Sequence, residues 1–270
     1  MKIFDSFKSK QERLCDACNQ GDIKKVDRLT KKKDKRIDLN LIFINACKLG
    51  HYDIAKILIE RGADVNYQSS VKWVSALGSF AAYLTSEPPL TIAAMHGHKD
   101  IVKLLLDSGA NINATSSNPA DYYRGGWEAV PNSQETALVK AAESGHYDIV
   151  ILLLRACAHP HLGNYRSNGS IWNYAEENHD LKLARLIINN CCDLEIEGVN
   201  GRTLLHEASN WGELEIVQML INKGANINAT TEEGETVLHQ ANNVEIVRLF
   251  LDKGLDVHAI TTQKLFDLSY

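Results

Sequence analysis

Six cysteines and ten histidines are the residues of this 270-residue chain best suited to act as nucleophiles, bases or metal ligands. The cysteines are Cys15, Cys18, Cys47, Cys157, Cys191 and Cys192. Cys15-x-x-Cys18 has the spacing of half a zinc site, but no second pair follows at zinc-finger spacing, so no metal is expected. Cys15 or Cys47 with a distant histidine would make a thiolate–imidazole nucleophile pair. His206 and His239 each stand three residues after a threonine, Thr203 and Thr236, and invite a general-base reading. No GxSxG, HExxH, Walker-type or GxGxxG sequence occurs, so no motif of those kinds supports an enzyme, and no cofactor is expected.

The elements that would have to position these groups recur along the chain. The stretch Leu90–Asn113 returns in altered form up to His161, up to Asn228 and up to His258. Within each copy, apolar residues fall three and four apart, as in Ile101, Leu104 and Leu105, so one helical stripe faces a neighbour. Gly50, Gly97, Gly145 and Gly212 each fall between two helical stretches, where a tight turn needs a permissive backbone. Gly62, Gly109, Gly224 and Gly254 follow the second stretch, the place of a left-handed cap. Cys157 and Cys191 occupy that cap position in two copies, where a non-glycine residue costs about 1 kcal/mol, so these two turns are expected to differ in shape. Each unit is too small to bury its own apolar face, and stacking on the next unit completes the core.

Thr203-Leu204-Leu205-His206-Glu207-Ala208 and Thr236-Val237-Leu238-His239-Gln240-Ala241, with Gly62-Ala63-Asp64-Val65-Asn66, Gly109-Ala110-Asn111-Ile112-Asn113 and Gly224-Ala225-Asn226-Ile227-Asn228, carry a resemblance. The chain resembles the ankyrin repeat, a unit of about 33 residues built as a turn and two antiparallel helices. The resemblance implies an all-α ankyrin-repeat solenoid of about six or seven helix–turn–helix repeats spanning 1–270 as a single domain. It gives His206 and His239 a structural role, hydrogen-bonded to Thr203 and Thr236 and to nearby backbone. It also implies asparaginyl hydroxylation at Asn66, Asn113 and Asn228, each with a leucine eight residues earlier.

Departures from the period carry further information. From Asn66 to Asn113 is 47 residues and from Asn113 to His161 is 48, against 34 and 33 for the next two steps to Glu195 and Asn228. Two consecutive repeats therefore carry inter-repeat insertions, at 67–87 and 114–134. Insertions in repeat proteins map to one face, often the binding face, so these two are expected to lie side by side. The first bears Trp73, Phe80 and Tyr83; the second bears Tyr122, Tyr123, Arg124 and Trp127. Trp, Tyr and Arg are enriched at interface hot spots, although mutual packing of the two insertions would also account for the rings. The fifth repeat is degenerate, with Ser170-Ile171-Trp172-Asn173-Tyr174-Ala175 in the motif position. The seventh lacks about three residues between its helices. Residues 1–38 read as an N-terminal capping repeat and 259–270 as a partial C-terminal cap.

The net charge of -5 divides into +5 over residues 1–40 and -10 over the remainder. The basic cluster from Lys24 to Arg36 suits the polar outer face of a capping repeat. No aromatics interleave with it, which disfavours nucleic acid. No apolar run approaches the ~18 residues of a membrane-spanning helix. The start, Met1-Lys2-Ile3-Phe4-Asp5, lacks the apolar core of a signal peptide, so a cytoplasmic location is expected, or the host-cell cytoplasm if the chain is exported by a route this start does not reveal.

Function is therefore sought in recognition. In the family the partner meets loop tips and the exposed end of each first helix, which here are Met95, His96, Glu143, Glu177 and Trp211, with Glu232 and Glu233 in the loop before the seventh repeat. The acidic members favour a basic partner segment. The expectation is a monomeric, non-catalytic protein-interaction module binding through its concave face and the two insertions. The alternatives are the ankyrin portion of a larger protein, or an effector of an intracellular bacterium, with which the Lys/Asn/Ile-rich composition is compatible.

Overall fold

A computed structural model describes residues 9–32, 34–68, 87–116, 135–162 and 170–255. These form short helices joined by tight turns. Among the described residues the only β structure is two isolated bridges, Thr115 with Thr136 and Thr230 with Thr236. The chain divides into two compact units, Met1–Val150 and Ile151–Tyr270.

The first unit holds α1 (Lys10–Asn19), α2 (Ile23–Thr30), α3 (Leu39–Leu49), α4 (Tyr52–Glu60), α5 (Pro89–Met95), α6 (Lys99–Asp107) and α7 (Ala137–Glu143). Helix α8 (Tyr147–Arg155) runs from the end of the first unit into the second. The odd-numbered helices of the first unit pack in one file, α1 on α3 on α5 on α7, and α2, α4 and α6 pack in another. Helix α5 shows why. Pro89 sits in its first turn, where a missing N–H costs nothing, and every residue from Pro89 to Ala94 is buried. A helix flanked on two sides needs small residues at the contact, and Ala93 and Ala94 supply them, as Ala46 and Cys47 do in α3 and Ala141 and Ala142 in α7.

Side chains close the helix ends. Ser9 and Glu12 form a reciprocal capping box on α1, and Asp38 accepts from the backbone N–H groups of Asn40 and Leu41 to start α3. Between the helices of each pair, a histidine roofs the glycine turn of the preceding repeat. His51 lies over Gly21, His98 over Gly50 and His146 over Gly97. At Gly97 the backbone is left-handed (φ 77°) and a Cβ would stand 2.6 Å from His146, so glycine is required twice over. His98 Nε2 also reaches the Lys48 carbonyl at 3.0 Å, tying one repeat to the last.

The second unit holds α9 (Ile171–Glu177), α10 (Leu181–Asn190), α11 (Leu204–Trp211), α12 (Leu214–Asn222), α13 (Val237–Gln240) and α14 (Val244–Asp252). The fifth repeat folds despite its degenerate motif. Ser170 caps α9 by accepting from the Asn173 N–H at 3.2 Å, and Trp172 is fully buried, meeting Trp211 edge to face with ring centroids 5.9 Å apart. In the seventh repeat the three-residue loss falls largely on the first helix, which keeps four residues where α11 has eight. Asn242 takes over the roofing role, donating to the Asn210 carbonyl at 2.5 Å. Of the two cysteine turns, only the one at Cys191 departs from the glycine-capped shape, because Cys157 keeps the left-handed backbone and the same turn hydrogen bonds. Cys157 accepts the left-handed conformation (φ 63°), whereas Cys191 is extended (φ -64°, ψ 135°) and α10 runs one residue further than α6.

Candidate functional site

The groups with chemical potential are mostly structural. His206 Nδ1 accepts from the Thr203 N–H at 3.2 Å, and its Nε2 lies 3.3 Å from the Glu235 carbonyl. His239 Nδ1 accepts from the Thr236 N–H at 3.1 Å. Burial lowers the His206 pKa, which disfavours a charged imidazolium. Burial also raises the Cys18 thiol to about 11 and pushes Cys47 higher still, the reverse of what a nucleophile needs. Among the described residues, no group of three or more His, Cys, Asp or Glu side chains is arranged to hold a metal ion. No described helix is long and apolar enough to cross a membrane.

In the first unit, Met95 and His96 end α5 half-buried. His96 is occupied: its Nδ1 lies 2.9 Å from the Ile92 carbonyl and its ring stacks on His98 at 6.1 Å. Glu143 is exposed but shares Lys140 with Glu135, at 3.0 and 2.5 Å. Burial works against the Lys140 ammonium, yet hydrogen bonds to the two carboxylates outweigh it and raise its pKa. One ammonium shared between two carboxylates leaves the cluster with a net negative charge. Trp73, Phe80, Tyr83, Tyr122, Tyr123, Arg124 and Trp127 lie outside the described residues. The roots of their two insertions do not. Gln68 Nε2, at the start of the first, donates to the Thr115 carbonyl, at the start of the second, at 3.2 Å. The base of the second is closed where the Ser116 N–H donates to the Glu135 carbonyl at 2.9 Å.

The second unit gathers more charge. Glu177, Glu232 and Glu233 are exposed at helix end and loop tip, while Trp211 is half-buried against Trp172. The indole N–H groups of both tryptophans are buried and find no partner among the described residues. Two carboxylates that the sequence reading passed over lie deeper. Glu176 on α9 and Glu207 on α11 are part-buried; burial raises both pKa values, and Glu207 raises that of Glu176 further. Arg202 Nη1 stands 3.6 Å from Glu207 and offsets part of this charge, while Arg202 Nη2 is also engaged by Gln240. The helical repeat carried a signal for them: Glu207 directly follows the motif histidine, and Glu176 comes three residues before the turn residue His179.

The three asparagines expected to be hydroxylated occupy different settings. Asn66 uses both ends of its amide on the next repeat, accepting from the Asn111 N–H at 2.7 Å and donating to the Gly109 carbonyl at 3.3 Å. Asn113 is half-buried and Asn228 is exposed. Glu195, at the equivalent position, makes the same forward contact, accepting from the Asn226 N–H at 2.9 Å.

Comparison with known proteins agrees with this geometry. The family described as "Ankyrin repeats (3 copies)" matches residues 84–164 and 171–261, and the single ankyrin repeat matches 43–70. Among solved structures, the ankyrin repeat domain of Bcl-3, titled a unique member of the IkappaB protein family, is similar with a TM-score of 0.60 and 21% identity, covering 89% of this chain and 97% of that one. Similar chains among solved structures number 525, so likeness at this level identifies a fold and not a partner. No curated protein matches the sequence. With the family profiles covering most of the chain and the helix pairs in place, this protein belongs to the ankyrin-repeat family.

Proposed function

We infer that this ankyrin-repeat chain works as a protein-interaction module, its repeat scaffold being in general non-catalytic. We propose that it recognises a basic protein segment through the first helices of its second unit, around Glu176 and Glu207, with Glu177, Glu232 and Glu233 as the outer rim. The observation that carries the reading is the Glu176–Glu207 pair. Arg202, 3.6 Å from Glu207, offsets only part of the charge of these two part-buried carboxylates, so a further lysine or arginine side chain gains more there than on an open surface. Trp211, beside Trp172, supplies apolar surface for the stem of such a side chain. The aromatic-rich insertions of the first unit form a second docking surface on this reading, supported by the hydrogen bond that sets their roots side by side.

Fluorescence anisotropy with a labelled arginine-rich peptide tests the acidic site. Glu176→Gln with Glu207→Gln is expected to weaken binding at least about tenfold, and Glu232→Gln with Glu233→Gln about threefold or less. Equal losses from the two pairs would reduce the interaction to general charge attraction. For the insertions, pull-down with a Trp73/Tyr122/Tyr123/Trp127 alanine variant should recover less partner than wild type, and equal recovery removes them from the site.

A further inference from the structure

Three of the six cysteines meet where two repeats of the second unit end. Arg155 Nε, at the end of α8, donates to Asn190 Oδ1, at the end of α10, at 2.9 Å. Cys157 and Cys191-Cys192 lie one or two residues past these partners, so the hydrogen bond holds the cysteine turns against each other. Cys157 is exposed and left-handed, at a position where glycine would be cheaper. Cys191 is turned away, its Sγ donating to the Asp193 carbonyl at 3.0 Å. Because Cys191 is extended, Cys192 departs from the pattern of its equivalents: Ala63, Ala158 and Ala225 are buried at this position and Ala110 is half-buried, whereas Cys192 is exposed and its thiol interacts with that of Cys157.

We propose that Cys157 and Cys192 form an oxidative modification site, at which a peroxide converts the two thiols to a disulfide joining the ends of α8 and α10. The inference is independent of the docking site. Cys157 sulfur attacks one oxygen of hydrogen peroxide, the O–O bond breaks, and Cys157 becomes a sulfenic acid as one water leaves. Cys192 sulfur then attacks the sulfenic sulfur, the S–O bond breaks, and its thiol proton leaves with the hydroxyl as a second water. The two thiols lose two electrons and the peroxide gains them. The interaction with Cys157, added to a little burial, raises the pKa of the Cys192 thiol, as expected of two sulfurs held near each other. Cys18 and Cys47 are buried and do not compete.

The full chain is reduced, treated with hydrogen peroxide, alkylated under denaturing conditions and mapped by mass spectrometry. The wild type is expected to lose two alkylatable thiols and to yield a peptide pair linked through Cys157. Cys191→Ser should retain that link. Cys192→Ser should abolish it and leave a dimedone-reactive sulfenic acid at Cys157. Four results would overturn the proposal: a link lost in Cys191→Ser, a link between two chains, sulfinic or sulfonic acid at both positions with no link, or no oxidation where a free thiol peptide is oxidised.

Discussion

The helix–helix turns of residues 1–150 and those of residues 151–270 solve one problem with different residues. In the first unit, every described residue with left-handed backbone is a glycine, and a histidine from the following repeat roofs three of the turns. In the second unit, Cys157, His179 and Asn200 are left-handed without being glycine. Asp180 stands where the first unit has its histidine and caps α10 through the Leu183 N–H at 2.9 Å. Asn242 does the roofing in the seventh repeat. The first arrangement avoids backbone strain and stacks each repeat on the last. The second accepts about 1 kcal/mol of strain at each non-glycine position and keeps the fold through side-chain caps and the Trp172–Trp211 contact. Nearest-neighbour stacking lets the two halves differ, because no repeat depends on the turn chemistry of a distant one.

The largest test of this contrast is Gly97→Ala, which adds left-handed strain and a clash with His146. It is expected to destabilise the first unit by about 3–4 kcal/mol in urea unfolding. Gly109→Ala, left-handed but with open space around the new methyl, should cost only about 1 kcal/mol. Equal losses would mean the histidine roof adds nothing. Next comes acid. Burial depresses His161 in the second unit from 6.5 to about 4, helped by the charge of His159. Between those values the unfolded chain binds a proton that the folded chain refuses, so stability falls as pH drops from about 6.5 to about 4 and levels off below. The loss amounts to about 3 kcal/mol, and His161→Gln should remove it. A pH-independent unfolding midpoint over that range would contradict the assignment. The smallest effect is a gain: His179→Gly relieves one strained turn and should stabilise the second unit by about 1 kcal/mol in the same assay. No gain would show that His179 contributes contacts that match its strain.

Much of the fold was legible because its demands are local. The glycines at helix ends, the three-and-four spacing of Ile101, Leu104 and Leu105, and the Thr–His pairs at 203/206 and 236/239 each report a constraint satisfied within a few residues. The site was less legible for two reasons. Helix-end positions marked as contact points are partly spent at home: His96 on the Ile92 carbonyl, Glu143 on Lys140, Trp211 on Trp172. Glu176 and Glu207 gain their character from burial, and Glu176 also from Glu207 on a neighbouring repeat, which no spacing within one repeat reveals.

By itself, the sequence determined the repeat, its helix pairs, the places where its period breaks and the balance of charge, since all of these follow from backbone conformation and helical periodicity. Tertiary structure alone decided which side chains of neighbouring repeats meet. Docking of one repeat on the next set Asn190 against Arg155, turned Cys192 toward Cys157, and drew Glu207 beside Glu176. Those pairings depend on how two helix ends pack, a relation between repeats that residues separated by a repeat length do not encode in any local pattern.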